Sequence, residues 1–397
     1  MYLDGEGCLT KCDVTQEARK KAQVEEEAQV EEEAQVEEGA VGVMCLNIGT
    51  PASYSSKDVR VYLKQFLSDP RIIQPWIVRL FVGKLVPYLR AIRSAQKYRS
   101  IWHSQHGSPL LYHGLALSEL LERKLNDGDK QTQKYKVCLA MNYGKPSIPE
   151  QLARLMDRGV RKIVVLPLFA QYASSSFGST LASLYVAASK RQVVPALRVL
   201  APYYCDPGFI DLESRKLSHA LKQHADLSCV HVVMSYHGVP LSQCEATLLP
   251  EKSQTAPQLR CGAADYTCCL SDKMYHQHCY RRQCVETSHL IASQLGLSPD
   301  DYSIGFQSRL GPARWTEPNT LDVLGSLAKK THIKTIIITF PSFLSDCLET
   351  LEEIGLAAKE ECEKMYPHLV IELVECPNSR VETVDYFYKK IQSLKEC

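Results

Sequence analysis

No apolar run in this chain approaches the roughly 20 residues of a membrane-crossing helix, so an integral helical membrane protein is excluded. Charge of either sign is not in surplus: 46 Lys and Arg stand against 45 Asp and Glu, a net +1. That balance gives no electrostatic reason to expect a nucleic acid as partner. The opening residues MYLDGEGCLTKCDV contain no apolar signal-peptide core and are too acidic for an organelle transit sequence, so a cytoplasmic protein is expected. Neither a G-x-G-x-x-G fingerprint nor a phosphate-binding G-x-x-x-x-G-K-[ST] loop follows any strand candidate, which argues against dinucleotide and nucleoside-triphosphate binding.

Cysteine, by contrast, is plentiful, with 16 residues. In a reducing compartment they do not read as a disulfide framework. Cys45, Cys138, Cys229 and Cys376 stand singly in apolar surroundings, where a thiol packs as a small hydrophobe. Cys261, Cys268, Cys269, Cys279 and Cys284 instead crowd into one polar segment, CGAADYTCCLSDKMYHQHCYRRQC. Four thiolates within its 24 residues can enclose a tetrahedral Zn²⁺ or a [2Fe–2S] cluster. The C-x₂-C spacing of zinc ribbons is absent, and a site using His276 and His278 with fewer cysteines, or free thiols in a surface insert, are the alternatives. Ligand density favours a bound metal centre.

Residues 22–38 repeat the hexapeptide AQVEEE, a period that suits neither a heptad nor a stable amphipathic stripe. Residues 1–40 are therefore read as an acidic low-complexity tail outside the fold. Beyond it, short Val- and Ile-rich runs alternate with helical stretches such as 148–157 and 321–330. Strands are expected at 41–47, 136–141, 162–167 and 196–200, then at 230–235, 302–307, 335–340 and 369–374. Runs apolar on both faces, alternating with helices, predict parallel sheets with crossover helices. The fold class is α/β: two Rossmann-like lobes, each a four-stranded parallel sheet flanked by helices. The first lobe spans 41–215 and the second 216–397, with a cysteine-rich insert at 244–284.

Five motifs carry chemistry, most of them leaving strand ends, where open α/β sheets bind ligands. In MSYHGVP (234–240), His237 can accept a proton near neutral pH or ligate a metal; a turn histidine bonded to backbone is the plainer reading. In ITFPSFLSDCLETLEEI (338–354), Asp346, Glu349 and Glu353 fall at i, i+3, i+7, along one face of a helix. Such a row can pass protons or a hydrated cation; alternatively Asp346 and Glu349 form a capping box. FQSRLGPARW (306–315) offers Trp315 as an apolar wall with Arg309 and Arg314 at its rim. FAQYASSSFGST (169–180) places hydroxyls before a helix, as caps or as an anion site. The segment 75–89, with Trp76, Phe81, Tyr88, Arg79 and Lys84, reads as a buried helix or as an apolar lip resting on a membrane surface.

Taken together, LNIGTP (46–51), QFLSDPR (65–71), YASSSFGST, SYHGVP, FQSR-x-GP-x-x-W and SDCLETLEEI resemble the ferrochelatase family, in its order, over about residues 41–395. The resemblance implies a chelatase-like fold whose cleft holds a porphyrin, with Fe²⁺ inserted into protoporphyrin IX as the terminal step of haem synthesis. His237 matches the family's active-site histidine, Glu349 its essential carboxylate, and Asp346 and Glu353 the acids behind it. His237 and Glu349 would also meet the substrate iron. Ile48, Tyr98, Ser108, Tyr143, Trp315 and Phe343 fall at porphyrin-contact positions, and residues 65–90 at a porphyrin lip whose part 72–90 touches a membrane peripherally. Several members hold a [2Fe–2S] cluster with a mid-chain cysteine plus C-terminal ones; here the mid-chain position is Ser174, and the C-terminus offers Cys376 and Cys397 alone. Some bacterial members keep the ligands in an internal segment, which implies a cluster on four of Cys261, Cys268, Cys269, Cys279 and Cys284. A related chelatase for Co²⁺ or Ni²⁺, and a non-catalytic haem or Fe–S binding protein, are the competing readings.

Overall fold

Among the described residues, eight strands form two separate four-stranded sheets, and every neighbouring pair is parallel. The first sheet has β1 (Val41–Gly49), β2 (Tyr135–Tyr143), β3 (Lys162–Pro167) and β4 (Ala196–Val199) in the order β2-β1-β3-β4. The second has β5 (Val230–His237), β6 (Tyr302–Gln307), β7 (Thr335–Thr339) and β8 (Val370–Leu373) in the order β6-β5-β7-β8. All eight expected runs are strands. Three run further than expected: β1 reaches Gly49, β2 reaches Tyr143, and β5 carries on to His237 itself. The computed structural model describes residues 39–73, 76–127, 134–247, 268–270 and 277–394, the side chains at 76, 77, 80 and 81 excepted. Cys261, His276, the expected tail to residue 38 and the side chains of Trp76 and Phe81 lie outside the described residues.

The apolar strand sequences are explained by burial on both faces. Val43, Met44, Cys45 and Leu46 are fully covered in β1, as are all five residues of β7. Helices α1 (Ser56–Leu67), α2 (Trp76–Ile101) and α3 (Pro109–Asn126) intervene between β1 and β2. Helix α4 (Ile148–Asp157) starts at a reciprocal capping box of Ser147 and Glu150. A π-turn at Ser174–Gly178 leads into α5 (Ser179–Ser189), and α6 (Pro207–Leu221) joins the lobes, capped by Asp206. The second lobe adds α7 (Leu241–Glu245), α8 (Tyr280–Leu295), α9 (Thr320–Ala328), a π-helix at Glu349–Ala358, α10 (Lys359–Met365) and α11 (Val381–Ser393). No helix among the described residues is long and apolar enough to cross a membrane.

Strand order fixes where a ligand can enter. From β1 the chain goes to β2 on one side and next to β3 on the other, so a crevice opens between the C-terminal ends of β1 and β3. The second sheet repeats the pattern between β5 and β7. These two switch points face one shared cavity. Gly49 makes the exit from β1 possible: its φ is +112°, and a Cβ there would sit 1.8 Å from the Tyr143 carbonyl oxygen.

The last of these helices returns to the first lobe. Helix α11 lies against α3 and α6, with Lys124 paired to Asp385, Lys390 paired to Asp206, and Phe387 fully buried edge-on to Tyr203. One continuous hydrophobic core therefore holds Val43 and Leu121 of the first lobe together with Val232, Ile337 and Phe387.

Candidate active site

The cleft between the sheets divides into a broad part of about 1060 Å³ and a narrower part of about 260 Å³. His237, Glu349, Leu63, Phe66, Ile72 and Ser175 border both. The first switch point contributes Asn47, Ile48, Thr50, Leu168 and Phe169; the second contributes His237, Ser342 and Phe343.

His237 is the final residue of β5, where strand pairing ends and the side chain turns into the cleft. Its Nδ1 lies 2.7 Å from the Gly238 carbonyl oxygen, and a carbonyl only accepts. The proton therefore sits on Nδ1, leaving the Nε2 lone pair for a proton or a metal. The backbone is clamped as well. The Tyr280 hydroxyl donates to the His237 carbonyl at 2.7 Å, and the His237 N–H points at Ser342 Oγ at 3.3 Å.

Glu349 and Glu353 come from the π-helix and both line the broad part. Burial first, then the Glu349 charge, push the Glu353 carboxyl above its usual range, while Ser308, His237 and Lys97 oppose the shift. Glu353 accepts a hydrogen bond from Ser308, and Lys97 pairs with Glu352 at 2.6 Å. Gln307 Nε2 donates to the Glu349 carbonyl at 2.7 Å, and Gln307 is itself fixed by Ser235 Oγ at 2.6 Å. The expected carboxylate row and capping box are not formed. Asp346 lies in the loop before the π-helix, which begins at Glu349, so helical spacing does not extend back to it. Its buried carboxylate accepts from Asn378 Nδ2 at 2.7 Å and Thr350 Oγ1 at 3.0 Å, and it does not border the cleft.

Of the expected porphyrin contacts, Ile48, Tyr98, Ser108 and Phe343 line the narrow part and Trp315 the broad part. Ser108 is held to Thr50 at 2.9 Å, and Tyr98 stands edge-on to Tyr62. Tyr143 lies one layer behind. Its hydroxyl donates to Asp69 at 2.7 Å while its ring supports Phe66 and Tyr62. The Ser-rich segment serves mainly as ties: Ser174 accepts from Arg71, Ser175 donates to Gln243, and Ser179 donates to Asp69. Arg309 borders the broad part, whereas Arg314 is exposed and does not.

Helix α2 carries the lip. Leu85, Tyr88, Leu89 and Ile92 recur at helical spacing, each between 60% and 70% exposed.

Cys268, Cys269, Cys279 and Cys284 are all buried. Cys279 caps α8, and Cys279 and Cys269 both act electrostatically on the Cys284 thiol, which burial raises well above its ordinary pKa. The fully buried Arg281 donates to Cys269 Sγ at 3.2 Å and to the Glu317 carbonyl. Among the described residues, no three His, Cys, Asp or Glu side chains meet closely enough to hold an ion.

Tyr280, Ser342, Gln307 and Asp69 are functional-site residues that motif reading did not single out. All four lie inside quoted segments, but nothing local distinguishes a tyrosine or glutamine that will meet a backbone carbonyl from another element.

A parallel two-lobed α/β body with a histidine and two glutamates bordering one large, mainly apolar cleft has the layout of an enzyme acting on a bulky apolar ligand. The ferrochelatase family model matches residues 40–394, and the chain belongs to the ferrochelatase family. It is 37% identical over 361 residues to a ferrochelatase of Legionella pneumophila (strain Lens), covering 89% of this chain and 98% of that one. It is 37% identical to a ferrochelatase of Coxiella burnetii (strain RSA 493 / Nine Mile phase I), over 82% of this chain and 86% of that one. Among solved structures it is similar to SirB from Bacillus subtilis with Fe³⁺, at TM-score 0.46 and 14% identity, covering 72% and 92%. The chain is thus a metal chelatase that inserts Fe²⁺ into a porphyrin, the closing step of haem synthesis; the cobalt, nickel and storage readings are not favoured.

Proposed function

We propose that His237 takes a pyrrole proton of bound protoporphyrin IX and that Glu349, backed by Glu353, relays protons or delivers iron on the other side of the ring. The observation that carries this reading is the His237 side chain, tied at Nδ1 and free at Nε2, bordering the same apolar cleft as the two glutamates. A free porphyrin is flat, and its two N–H groups point inward. Metal entry needs the ring bent, the protons removed and the ion stripped of water. Apolar walls from Ile48, Tyr98, Phe343 and Trp315 would clamp the macrocycle and supply the bending from contacts away from the reacting centre. Asp346 would act at one remove, holding Thr350 and with it the start of the π-helix.

The same reading includes a [2Fe–2S] cluster held by Cys261, Cys279, Cys284 and one of Cys268 and Cys269. Its support is the donor set: buried thiols crowded into one segment, beside the cationic Arg281. When bound, such a centre cross-links its segments and makes them sensitive to oxidants. Peripheral membrane contact through residues 72–90 is supported by the exposed face of Leu85, Tyr88, Leu89 and Ile92.

Loss of protoporphyrin fluorescence on adding Fe²⁺ tests the reaction. His237→Ala and Glu349→Gln should each lower kcat by about 100-fold or more; unchanged rates would remove both assignments. Iron and inorganic sulfide analysis of anaerobically purified protein tests the cluster, and one zinc per chain without sulfide would overturn it.

A further inference from the structure

The cysteine segment and the cleft histidine meet at one side chain. Tyr280, first residue of α8, follows Cys279 and lies one helical turn before Cys284. Its ring is buried and borders the narrow part of the cleft. Its hydroxyl donates to the His237 carbonyl at 2.7 Å. Ser342 Oγ receives the His237 N–H.

The peptide group gripped by Tyr280 joins His237 to Gly238. Gly238 then supplies the carbonyl that orients the imidazole through Nδ1. That carbonyl belongs to the following peptide, so holding the 237–238 peptide fixes the φ of Gly238 and with it the direction in which the carbonyl meets the ring. Helix α8 is firmly seated for this task. Ser288 meets the Tyr236 hydroxyl at 2.7 Å, Gln283 Oε1 accepts from the Tyr172 N–H at 2.6 Å, and Thr287 donates to the Tyr204 carbonyl at 2.8 Å. It therefore bridges β5 and the Ser-rich loop on opposite sides of the cleft.

We propose that Tyr280 is a positioning residue for His237. The proposal rests on His237 being the base that accepts a pyrrole proton. It gives the start of helix α8, beside the cysteine segment, a mechanical role in the reaction.

Tyr280→Phe keeps the ring and every thiol but removes the hydroxyl. It should lower kcat about tenfold, because small misplacements of a reacting group are costly, while the KM for protoporphyrin stays within about twofold. In the protein without added iron, ¹⁵N-histidine NMR should show His237 changing from Nδ1–H alone to a mixture of tautomers. An unchanged kcat and tautomer in Tyr280→Phe would overturn the proposal. If His237→Ala abolishes turnover while Tyr280→Phe changes neither readout, the inference fails and the catalytic reading stands. If His237→Ala keeps its turnover, the catalytic reading fails whatever Tyr280 does.

Discussion

Glu353 sits where burial and the neighbouring Glu349 act in the same direction, both favouring the protonated acid. The folded protein thus holds this proton more tightly than the unfolded chain does. Its contribution to stability is fully present below the ordinary carboxylate range and is lost as pH rises through the elevated value. Glu353→Gln, neutral at every pH, should melt at a higher temperature than the parent at pH 7 to 8, with the gap closing towards pH 4. Thermal melts across that range check the sign; a gap that does not change with pH would contradict it. At this scale the sequence was legible where a residue's chemistry is rare, as with His237 in SYHGVP and Glu349 in an acidic run. It was not legible for Asp346, because its partner Asn378 comes from a distant loop and no local pattern reports that contact.

Among the elements, the strands were readable and the acidic helix was misread for one physical reason. Burial on both faces of a parallel strand imposes an unbroken Val- and Ile-rich run, a pattern visible without the fold. The spacing rule assumed a helix running from Asp346, but the helix begins at Glu349, so Asp346 falls outside the row while Glu349 and Glu353 border the cleft together. The exit loop of β1 and the lip invite two tests. Gly49→Ala should cost about 2 kcal/mol or more, since backbone strain adds to collision with the Tyr143 carbonyl, and denaturant titration would measure it. Asp69 gathers the Tyr143 and Ser179 hydroxyls and the Arg71 N–H beneath the lip. Asp69→Asn should therefore raise the KM for porphyrin several-fold with a smaller change in kcat, read from initial rates over a substrate series. An unaltered KM would separate the lip from porphyrin capture.

For the whole molecule, two surfaces decide behaviour. Replacing Leu85 and Leu89 by Glu should leave the fold intact and weaken co-sedimentation with liposomes, since both side chains are already in solvent. Equal sedimentation of parent and variant would remove the membrane reading. Phe387→Ala should cost about 3–5 kcal/mol and lower a single unfolding transition, because the ring completes a core shared by both lobes. Two separated transitions in calorimetry would show that the lobes unfold independently. The two-lobed plan was foreseeable from two sets of four strands; the return of α11 to the first lobe was not, because an amphipathic helix does not state which apolar surface it will cover.

That return has a consequence for biosynthesis. Lys124 of α3 finds its partner Asp385 on a segment made 261 residues later. While the ribosome is still translating, the first lobe has its four strands but an uncovered apolar flank, and it stays in that condition through the synthesis of the entire second lobe. Nascent chains paused before α11 should bind chaperones that recognise exposed apolar surface, and chains with α11 clear of the ribosome should not.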